Sequence, residues 1–456
     1  MNKTAKIALL NLVIPATLTA LLLVLKKEVL TLPYHWDELG AYIPAAHWLF
    51  HEGIYKIVPG FYPPDMFYGH PPGIYFVLAL LYSIFGEHIW VSHGLSLSFS
   101  ALALIYTYRL GKQVAGELCG VMASLFLLFS PLFFAQSGMF LGDIPLAAFG
   151  TVSLFYVFNK NFLKYLFSTT FLLFSKESAI FFFPVLVGSA LFLSDRPKMK
   201  NLILHSAPFL LLGIFFTTQR IMTGEWLPNP YFSLKPLLHT NFNKIKEVGS
   251  WIFVFQERWV LTMLLPLALF GKRRFVVPAL VLILSFWGAF SLFYFLPRYI
   301  LPTLPFLCIL AASTFAVLSR FSKILGHTAV LAVALLLFVR TELRGRSMGS
   351  CETDMSYRDV IDVEKAAAQY LEENYPSSKI VAGWPLSSAY SEAYLGFVTE
   401  PLTLVTRRDP YDLVVYTPFG GESNKDILSL IQEGGFSLLS RFEKNGKFVE
   451  IFKRKG

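Results

Sequence analysis

The run KIALLNLVIPATLTALLLVL at residues 6–25 is followed by the segment Tyr34-His35-Trp36-Asp37-Glu38. Because crossing a bilayer takes roughly 20 apolar residues, the run is long enough to span a membrane. It lacks a small-residue cleavage site, so we expect it to be retained as a first helix. The segment after it places two adjacent carboxylates at the membrane edge, where charged side chains are costly and mark functional sites by default. Asp37 is therefore the first candidate for a general base.

The composition of the whole chain supports a membrane protein. Of its 456 residues, 55% are hydrophobic and only 15% are charged, whereas a soluble chain carries roughly a quarter charged residues. Long apolar runs recur from residue 6 to residue 340 and then stop. The predicted spans are about 6–25, 90–109, 114–136, 144–159, 163–176, 177–194, 201–219, 256–271, 275–296, 299–319 and 324–340.

The basic residues indicate a topology and argue against nucleic-acid binding. The formal net charge is +9, but the cations lie in short clusters between apolar runs, as in cytoplasmic loops. The clusters are Lys3 and Lys6, Arg109 and Lys112, Lys160 and Lys164, Arg196 to Lys200, Lys272 to Arg274, and Arg320 and Lys323. All of them fall on one side if the short run at 72–86 lies on the outer surface rather than crossing.

The apolar runs and the basic clusters together predict an α-helical polytopic membrane protein with about 11 transmembrane helices, within a range of 10–13. The N-terminus is cytoplasmic, a helix of the first outer loop lies on the membrane surface, and the C-terminus is extracytoplasmic. Residues 1–340 form the transmembrane module, and residues 341–456 form a small α/β domain outside the membrane. Within that domain we predict helices at 361–374 and 427–433 and strands at 379–382, 413–416 and 448–452.

Two acidic positions fall on consecutive predicted outer loops. Asp37 and Glu38 follow the first span, and Asp143 lies in Gly142-Asp143-Ile144-Pro145. Either position could simply cap the helix that follows it. Helices that bound short loops usually pack as neighbours, however, so these carboxylates can also converge on one site.

Three further motifs carry polar side chains at span ends. His70 precedes two prolines in Gly69-His70-Pro71-Pro72-Gly73 and can face headgroups, a phosphate or a metal. Lys176 and Glu177 form either a self-neutralising turn or part of a site. Arg298, beside Tyr299 at an outer helix junction, can extend to the interface or bind a lipid phosphate with its planar fork.

Together and in this order, these segments resemble the C-type (GT-C) glycosyltransferases, integral-membrane enzymes that use polyprenyl-phosphate sugars. The resemblance is greatest to the protein O-mannosyltransferase and lipid A aminoarabinose transferase group and covers residues 1 to about 340. The matching segments are Asp37-Glu38, His70-Pro71-Pro72, Tyr106-Thr107-Tyr108-Arg109-Leu110-Gly111, Ser130-Pro131-Leu132, Gly142-Asp143-Ile144-Pro145-Leu146, Lys176-Glu177 and Arg298-Tyr299-Ile300-Leu301-Pro302.

The resemblance implies roles for individual residues. Asp37 is the catalytic base or a metal-side carboxylate, and Asp143 assists acceptor or metal binding. The position before the paired prolines contacts the carrier phosphate and is commonly lysine; here it is His70. We therefore expect the phosphate contact to rest more on Arg298, with Tyr299 beside it. The supporting residues are Glu38, Lys176 and Glu177.

The resemblance also implies the reaction and its partners. Asp37 deprotonates an acceptor hydroxyl, which displaces polyprenyl phosphate from the anomeric carbon with inversion. The donor is a polyprenyl-phosphate sugar in the membrane, and the acceptor is a lipid, a glycan or a protein. No cofactor is required with certainty, and a divalent cation is left open with Asp37, Asp143 and His70 as candidate ligands. We expect a bacterial inner membrane.

A flippase or transporter of lipid-linked sugars is the alternative from another class. Such a protein needs polar groups buried within its spans and broken helices in repeated halves. In this sequence the predicted spans are nearly free of charge, and the charged motifs lie at their outer ends. The pattern therefore favours an enzyme.

Overall fold

A computed structural model describes residues 3–63, 66–193, 198–226, 241–263, 265–268, 273–343, 352–420 and 422–455. Parts of several predicted features lie outside these residues. They include Arg196 and Lys272, which belong to two of the basic clusters, and residues 227–240 between the predicted spans at 201–219 and 256–271.

Helices account for most of the first 343 residues. They are α1 (Lys3–Lys26), α2 (Ile43–Glu52), α3 (Gly73–Phe85), α4 (Ile89–Ala115), α5 (Glu117–Leu128), α6 (Pro131–Gln136), α7 (Asp143–Phe158), α8 (Phe162–Leu173), α9 (Phe183–Leu193), α10 (Lys198–Thr223), α11 (Phe242–Phe253), α12 (Arg258–Thr262), α13 (Leu265–Ala268), α14 (Arg273–Leu292), α15 (Leu304–Phe321) and α16 (Lys323–Leu343). Short helical turns lie at Lys27–Thr31, Glu38–Tyr42, Ile54–Ile57, Glu177–Phe182 and Pro297–Thr303.

Several of these helices can cross a membrane. Within the described ranges, five are long and apolar enough to span a bilayer, or six if the bent pair formed by α11 with α12 and α13 counts as one span. Shorter apolar helices of 10–17 residues, including α5, α7 and α8, accompany them. The predicted total of about 11 spans stays a prediction.

One predicted span is interrupted. The apolar run at 114–136 forms two helices, α5 and α6, rather than one. Ser130 between them is extended, with φ −68° and ψ 121°. The residue before a proline is pushed out of the helical region by contact with the proline ring, so Pro131 ends one helix and starts the next.

The helical core is built around α4. This helix packs against α5 and α7, and α5 packs against α15. Close approach of α4 and α5 depends on Gly120, because a Cβ at that position would lie 2.5 Å from the backbone oxygen of Tyr108. Small residues of this kind are typical of contacts between membrane helices.

Helix α3 corresponds to the predicted surface run at 72–86. It begins after the prolines and buries one face, which includes Tyr75 and Leu78, while Ile84 and Phe85 at its end are exposed. The 13-residue length is too short for a span of roughly 20 residues. Its placement on the membrane surface remains a prediction.

The last hundred residues contain a sheet flanked by helices. The elements are α17 (Tyr357–Asn374), β1 (Ile380–Ala382), α18 (Leu386–Ser391), β2 (Leu413–Tyr416), α19 (Glu422–Gln432), β3 (Phe436–Lys444) and β4 (Lys447–Arg454). The strand order is β1-β2-β4-β3; β1 and β2 are parallel, and the other pairs are antiparallel. The three predicted strands and both predicted helices are present.

Strand β3 was not predicted. Its side chains are mostly half-buried or exposed, so its sequence lacks the alternation of apolar and polar residues that marks a half-buried strand. Pairing with β4, rather than burial, holds it in the sheet.

The C-terminal segment packs on the first predicted outer loop. Tyr34 and Tyr42 share a hydrophobic core with Tyr390, and the Tyr34 backbone N–H donates to the Leu395 oxygen at 3.3 Å. The boundary predicted at residue 340 stays a prediction, but this packing places the C-terminal segment beside Asp37.

Candidate functional site

Four predicted site residues converge from distant parts of the chain. Asp37 directly precedes the turn Glu38–Tyr42, and Asp143 is the first residue of α7. Lys176 directly precedes the turn Glu177–Phe182, and Arg298 is the second residue of the turn Pro297–Thr303. Each side chain therefore lies at the start of a helical element. At each of these points the apolar sequence is interrupted, and a charged residue packs against the protein interior.

Arg298 is the centre of this cluster. Its side chain is 2% exposed, and its guanidinium lies beside the carboxyl groups of Asp37, Glu352 and Asp143. Hydrogen bonds join it to Asp37 and Glu352. The Nε atom lies 3.3 Å from Asp143 Oδ2, but the geometry does not make a hydrogen bond, and both atoms are without a hydrogen-bond partner among the described residues. The planar fork of arginine suits contacts with several carboxylates.

Lys176 binds the other side of Asp143. Its Nζ donates to Asp143 Oδ1 at 2.8 Å, and both side chains are almost fully buried. The same ammonium lies 4.0 Å from the centre of the Tyr299 ring. A cation over an aromatic face gains about 2 kcal/mol when it is shielded from water, so Tyr299 holds Lys176 in place.

Asp37 is the accessible carboxylate of the cluster. Its side chain is 30% exposed, whereas those of Asp143 and Arg298 are 1% and 2% exposed. Burial alone would raise the pKa of Asp37, but the charge and hydrogen bond of the Arg298 guanidinium hold this pKa below its usual value. The side chain is thus ionised at neutral pH, which is the form that accepts a proton.

Glu38 hydrogen-bonds to groups other than the four residues of this cluster. Its buried carboxylate accepts hydrogen bonds from the backbone N–H groups of Phe140, at 2.6 Å, and His35, at 3.2 Å. His93 Nε2 lies 3.3 Å from it. The carboxylate therefore ties the Asp37 segment to the loop that precedes α7, and so supports the positions of both acidic segments.

His70 and Glu177 form a second, neighbouring pair. Glu177 is hydrogen-bonded to His70 Nδ1, and the Tyr42 hydroxyl lies 3.4 Å from Nε2. The position of His70 depends on Gly73, whose N–H donates to the Phe174 oxygen at 3.0 Å. No ion pair or hydrogen bond joins His70 to Asp37 or Asp143 in the described part of the chain, although the charge of His70 contributes to the lowered pKa of Asp37.

Glu352 was missed by sequence reasoning. It is 2% exposed, pairs with Arg298, and accepts a hydrogen bond from Gln136 Nε2 on its backbone oxygen at 2.6 Å. Burial raises the pKa of this carboxyl to about 8, against the opposing effect of Arg298. The residue follows the last predicted span in a polar stretch, so nothing in the local sequence indicates burial.

The residues proposed to hold a divalent cation do not fit that role. Asp143 already faces Lys176 and Arg298, and Asp37 pairs with Arg298. A cation between the two carboxylates would have to displace these positive side chains, and it needs about six oxygen ligands in the case of Mg²⁺ or Ca²⁺. His70 is engaged with Glu177 instead.

An apolar cavity lies next to the second pair. Its volume is about 420 Å³, and its lining includes Val58, Pro72, Phe76, Phe174 and Phe215. Pro72 follows His70 by two positions, and Phe174 precedes Glu177 by three. The lining suits an apolar chain, and its Pro72 and Phe174 belong to the same segments as His70 and Glu177.

Comparisons with known proteins agree with the fold predicted from the sequence. A sequence model of the family described as dolichyl-phosphate-mannose-protein mannosyltransferase matches residues 69–219, about a third of the chain, including His70, Asp143 and Lys176. No curated protein matches the chain by sequence.

Solved structures are similar over nearly the whole chain. The crystal structure of ArnT from Cupriavidus metallidurans in the apo state has a TM-score of 0.60 at 13% identity, over 95% of this chain and 97% of that one. ArnT bound to undecaprenyl phosphate gives 0.59 at 15% identity, over 96% and 97%. The oligosaccharyltransferase AglB from Archaeoglobus fulgidus, in complex with an inhibitory peptide and a dolichol-phosphate, gives 0.50 at 11% identity, over 96% and 74%.

The structural similarity assigns the fold of this chain to a known class. The chain has the GT-C glycosyltransferase fold and is an integral membrane protein, as predicted. Within that class, it resembles the O-mannosyltransferase and ArnT group. The comparisons support the predicted membrane glycosyltransferase, and none of them supports the flippase alternative.

Proposed function

We propose that the protein transfers a sugar from a polyprenyl-phosphate donor to a hydroxyl group of a lipid, glycan or protein acceptor. One observation carries the proposal: Asp37, Asp143, Lys176 and Arg298 form one ion-paired cluster although they lie far apart in the sequence. Buried charges that interact this strongly are typical of active sites. The fold and the family match support the same class of enzyme.

The apolar cavity is the proposed place for the carrier's isoprenoid tail. Apolar lining stabilises a chain by roughly 0.8 kcal/mol for each buried methylene group. The cavity borders the segment that carries His70 and the segment that carries Glu177, which puts a phosphate at the end of the tail near the charged residues. The ArnT structure with undecaprenyl phosphate and the AglB structure with a dolichol-phosphate support a carrier of this kind.

Lys176 and Arg298 are the proposed cations for the carrier phosphate. Their two charges balance those of Asp37 and Asp143. Glu352, with a pKa of about 8, is mostly protonated at neutral pH, so it does not give the cluster a net negative charge that would repel a phosphate. Negative charge grows on the phosphate as it leaves, and fixed cations nearby lower the barrier to its departure.

His70 and Tyr299 complete the proposed phosphate site. Tyr299 holds the Lys176 ammonium over its ring. The Nδ1 atom of His70 is engaged with Glu177, so the other ring nitrogen, which faces the Tyr42 hydroxyl, donates to a phosphate only when the imidazole is protonated. The lysine common at this position in the family is thus replaced by a weaker phosphate partner, and Lys176 compensates for it.

Asp37 is the proposed base of a single displacement. Its carboxylate takes the proton from the acceptor hydroxyl, whose oxygen attacks the anomeric carbon. The bond from that carbon to the phosphate oxygen breaks, its electron pair leaves with polyprenyl phosphate, and the configuration inverts. The partial exposure of Asp37 allows an acceptor oxygen within hydrogen-bond reach, which is the geometric requirement for a general base.

The proposed setting is a bacterial inner membrane with about 11 spans. The N-terminus is cytoplasmic, and the site and the C-terminal α/β domain are extracytoplasmic. The basic clusters between the apolar runs support this orientation, because Lys and Arg are enriched in cytoplasmic loops. The starts of α7 and of the turn at Pro297–Thr303 meet at the cluster, which is compatible with a site at one membrane face.

The experiment compares the lipids, glycans and glycoproteins of cells that lack the protein with those of cells that carry it. Mass spectrometry should show one sugar-modified product lost, with its polyprenyl-phosphate donor accumulating. Asp143→Asn should behave like the deletion at equal expression, whereas Asp362→Asn, on the exposed side of α17, should restore the product. An unchanged set of products in the deletion strain would contradict the proposal.

A second experiment distinguishes transferase activity from flippase activity. Purified protein in detergent should consume the donor identified above when its acceptor is added, because transfer needs no closed membrane. A flippase shows activity only between the two leaflets of a bilayer. Movement of the donor between the leaflets of vesicles, with no product formed either in vesicles or in detergent, would therefore reject the transferase.

A further inference from the structure

Two histidines and a glutamate meet outside the ion-paired cluster. His47 Nδ1 lies 2.5 Å from Glu87 Oε1, and His51 Nε2 lies 3.3 Å from Glu87 Oε2. One ligand atom from each of the three residues lies within 4.8 Å of the others. The single carboxylate thus uses both oxygens to bridge two imidazole rings.

Helix α2 makes this arrangement possible. His47 and His51 are four residues apart on it, and residues at this spacing lie one above the other on the same face. Glu87 comes from the short connection between α3 and α4. The three side chains therefore link two segments that are separated by a whole helix.

The surroundings hold the first imidazole in a fixed orientation. The His47 ring is stacked on the Tyr394 ring, with 4.0 Å between the centroids and 5° between the planes. Tyr394 belongs to the C-terminal part of the chain. The site also remains open on one side, because His51 is 52% exposed while Glu87 is only 19% exposed.

We propose that His47, His51 and Glu87 bind a divalent transition-metal ion of the Zn²⁺ type. Two imidazole nitrogens and one carboxylate suit such ions, whereas Mg²⁺ and Ca²⁺ prefer shells made of oxygen. Bonds of roughly 2.0–2.2 Å to a tetrahedral centre place neighbouring ligand atoms about 3.3 Å apart. The His51–Glu87 separation already has this value, whereas the His47–Glu87 contact of 2.5 Å is a hydrogen-bond distance that lengthens by about 0.8 Å when the ion enters. Water or an external ligand fills the fourth position on the exposed side.

The bound ion links two segments of the first predicted outer loop to each other. It joins α2, which follows the Asp37 segment, to the start of α4, with Tyr394 packed against it. The proposal is independent of the proposed transferase activity, since none of its three residues belongs to the ion-paired cluster.

The test measures zinc binding by the purified full-length protein in detergent. After treatment with a chelator, the protein is dialysed against micromolar Zn²⁺ with excess Mg²⁺, and bound metal is measured by inductively coupled plasma mass spectrometry. We expect about one Zn²⁺ per chain. The His47→Ala/His51→Ala variant should lose this zinc, and Glu87→Gln should weaken its binding at least about tenfold.

Further variants distinguish zinc binding at this site from binding at neighbouring histidines. His88→Ala removes the imidazole next to Glu87, which stacks on Trp90 instead, and should bind zinc normally. His51→Gln changes a half-exposed side chain, so it should fold normally and still bind about tenfold more weakly. Wild-type affinity in His51→Gln and in the double variant would overturn the proposal. Loss of the zinc in His70→Ala alone would overturn it as well, because the ion would then belong to the other cluster.

Discussion

The guanidinium of Arg298 donates a hydrogen bond to the carboxylate of Asp37 across 261 positions of sequence. The proposed phosphate partner and the proposed base are thus in direct contact. The same guanidinium pairs with Asp143 and Glu352. In the proposed reaction, binding of the phosphate and activation of the acceptor are therefore linked through one side chain.

Arg298→Lys should destabilise the protein and abolish transfer. A lysine ammonium cannot meet three carboxylates with the fork of an arginine. Loss of one partner from a buried ion pair costs about 3–5 kcal/mol, which thermal unfolding in detergent will detect as a lower melting temperature. Arg358→Lys is the control, because its pair with Glu28 is much more exposed. Equal melting temperatures for the two variants would contradict the central role of Arg298.

Glu352→Gln should change the pH dependence of stability. The folded protein binds a proton at Glu352 up to a pH of about 8, whereas the unfolded chain releases it near 4.5. The stability that comes from this proton is complete below pH 4.5 and is lost as the pH rises to 8. Melting temperatures measured from pH 6 to pH 9 should fall more steeply for wild type than for the glutamine variant. Parallel curves would mean that Glu352 is ionised throughout.

Glu364→Gln tests the same effect away from the cluster. Glu364 is fully buried in α17, its carboxylate has no hydrogen-bond partner among the described residues, and burial raises its pKa to about 8. Since a carboxyl with a raised pKa destabilises the fold once it ionises, the variant should be more stable than wild type at pH 9 by about 2 kcal/mol or more. The two proteins should be similar at pH 5. Glu373→Gln, on the exposed face of α17, should change neither value.

Gly73→Ala should weaken carrier binding. A Cβ at this position would lie 2.5 Å from the Phe174 oxygen, so the start of α3 must move away from Phe174 and carry His70 with it. We expect a rise in the dissociation constant for polyprenyl phosphate of about tenfold, or 1.4 kcal/mol. Gly94→Ala in α4 is the matched control, because a Cβ there meets open space. Equal affinities for both variants would separate α3 from the carrier site.

Much of the cluster could be predicted from the sequence because its residues interrupt apolar runs. A charged residue at the end of a membrane span is costly and therefore conspicuous, as with Asp37, Asp143, Lys176 and Arg298. Their spacing in the sequence also matches a known family. What the sequence did not reveal is how they pair: Arg298 contacts carboxylates, and His70 contacts Glu177.

Glu352 and strand β3 were not predicted, and the physical reason is the same for both. Glu352 lies in a polar stretch, where charged residues are ordinary, and its burial arises from the packing of the C-terminal segment against the helices. Strand β3 is similar, since pairing with β4 rather than a buried face holds it in place. Both depend on contacts between distant segments, which local sequence patterns do not encode.

Asp37→Asn gives the most direct test of the central claim, measured as a single turnover of the donor with carrier binding determined on the same preparation. We expect transfer to fall about 10²–10⁴-fold, the usual contribution of a general base. Carrier binding should stay the same or tighten, because asparagine no longer neutralises Arg298. Transfer at the wild-type rate, with folding and expression unchanged, would show that Asp37 is not the base.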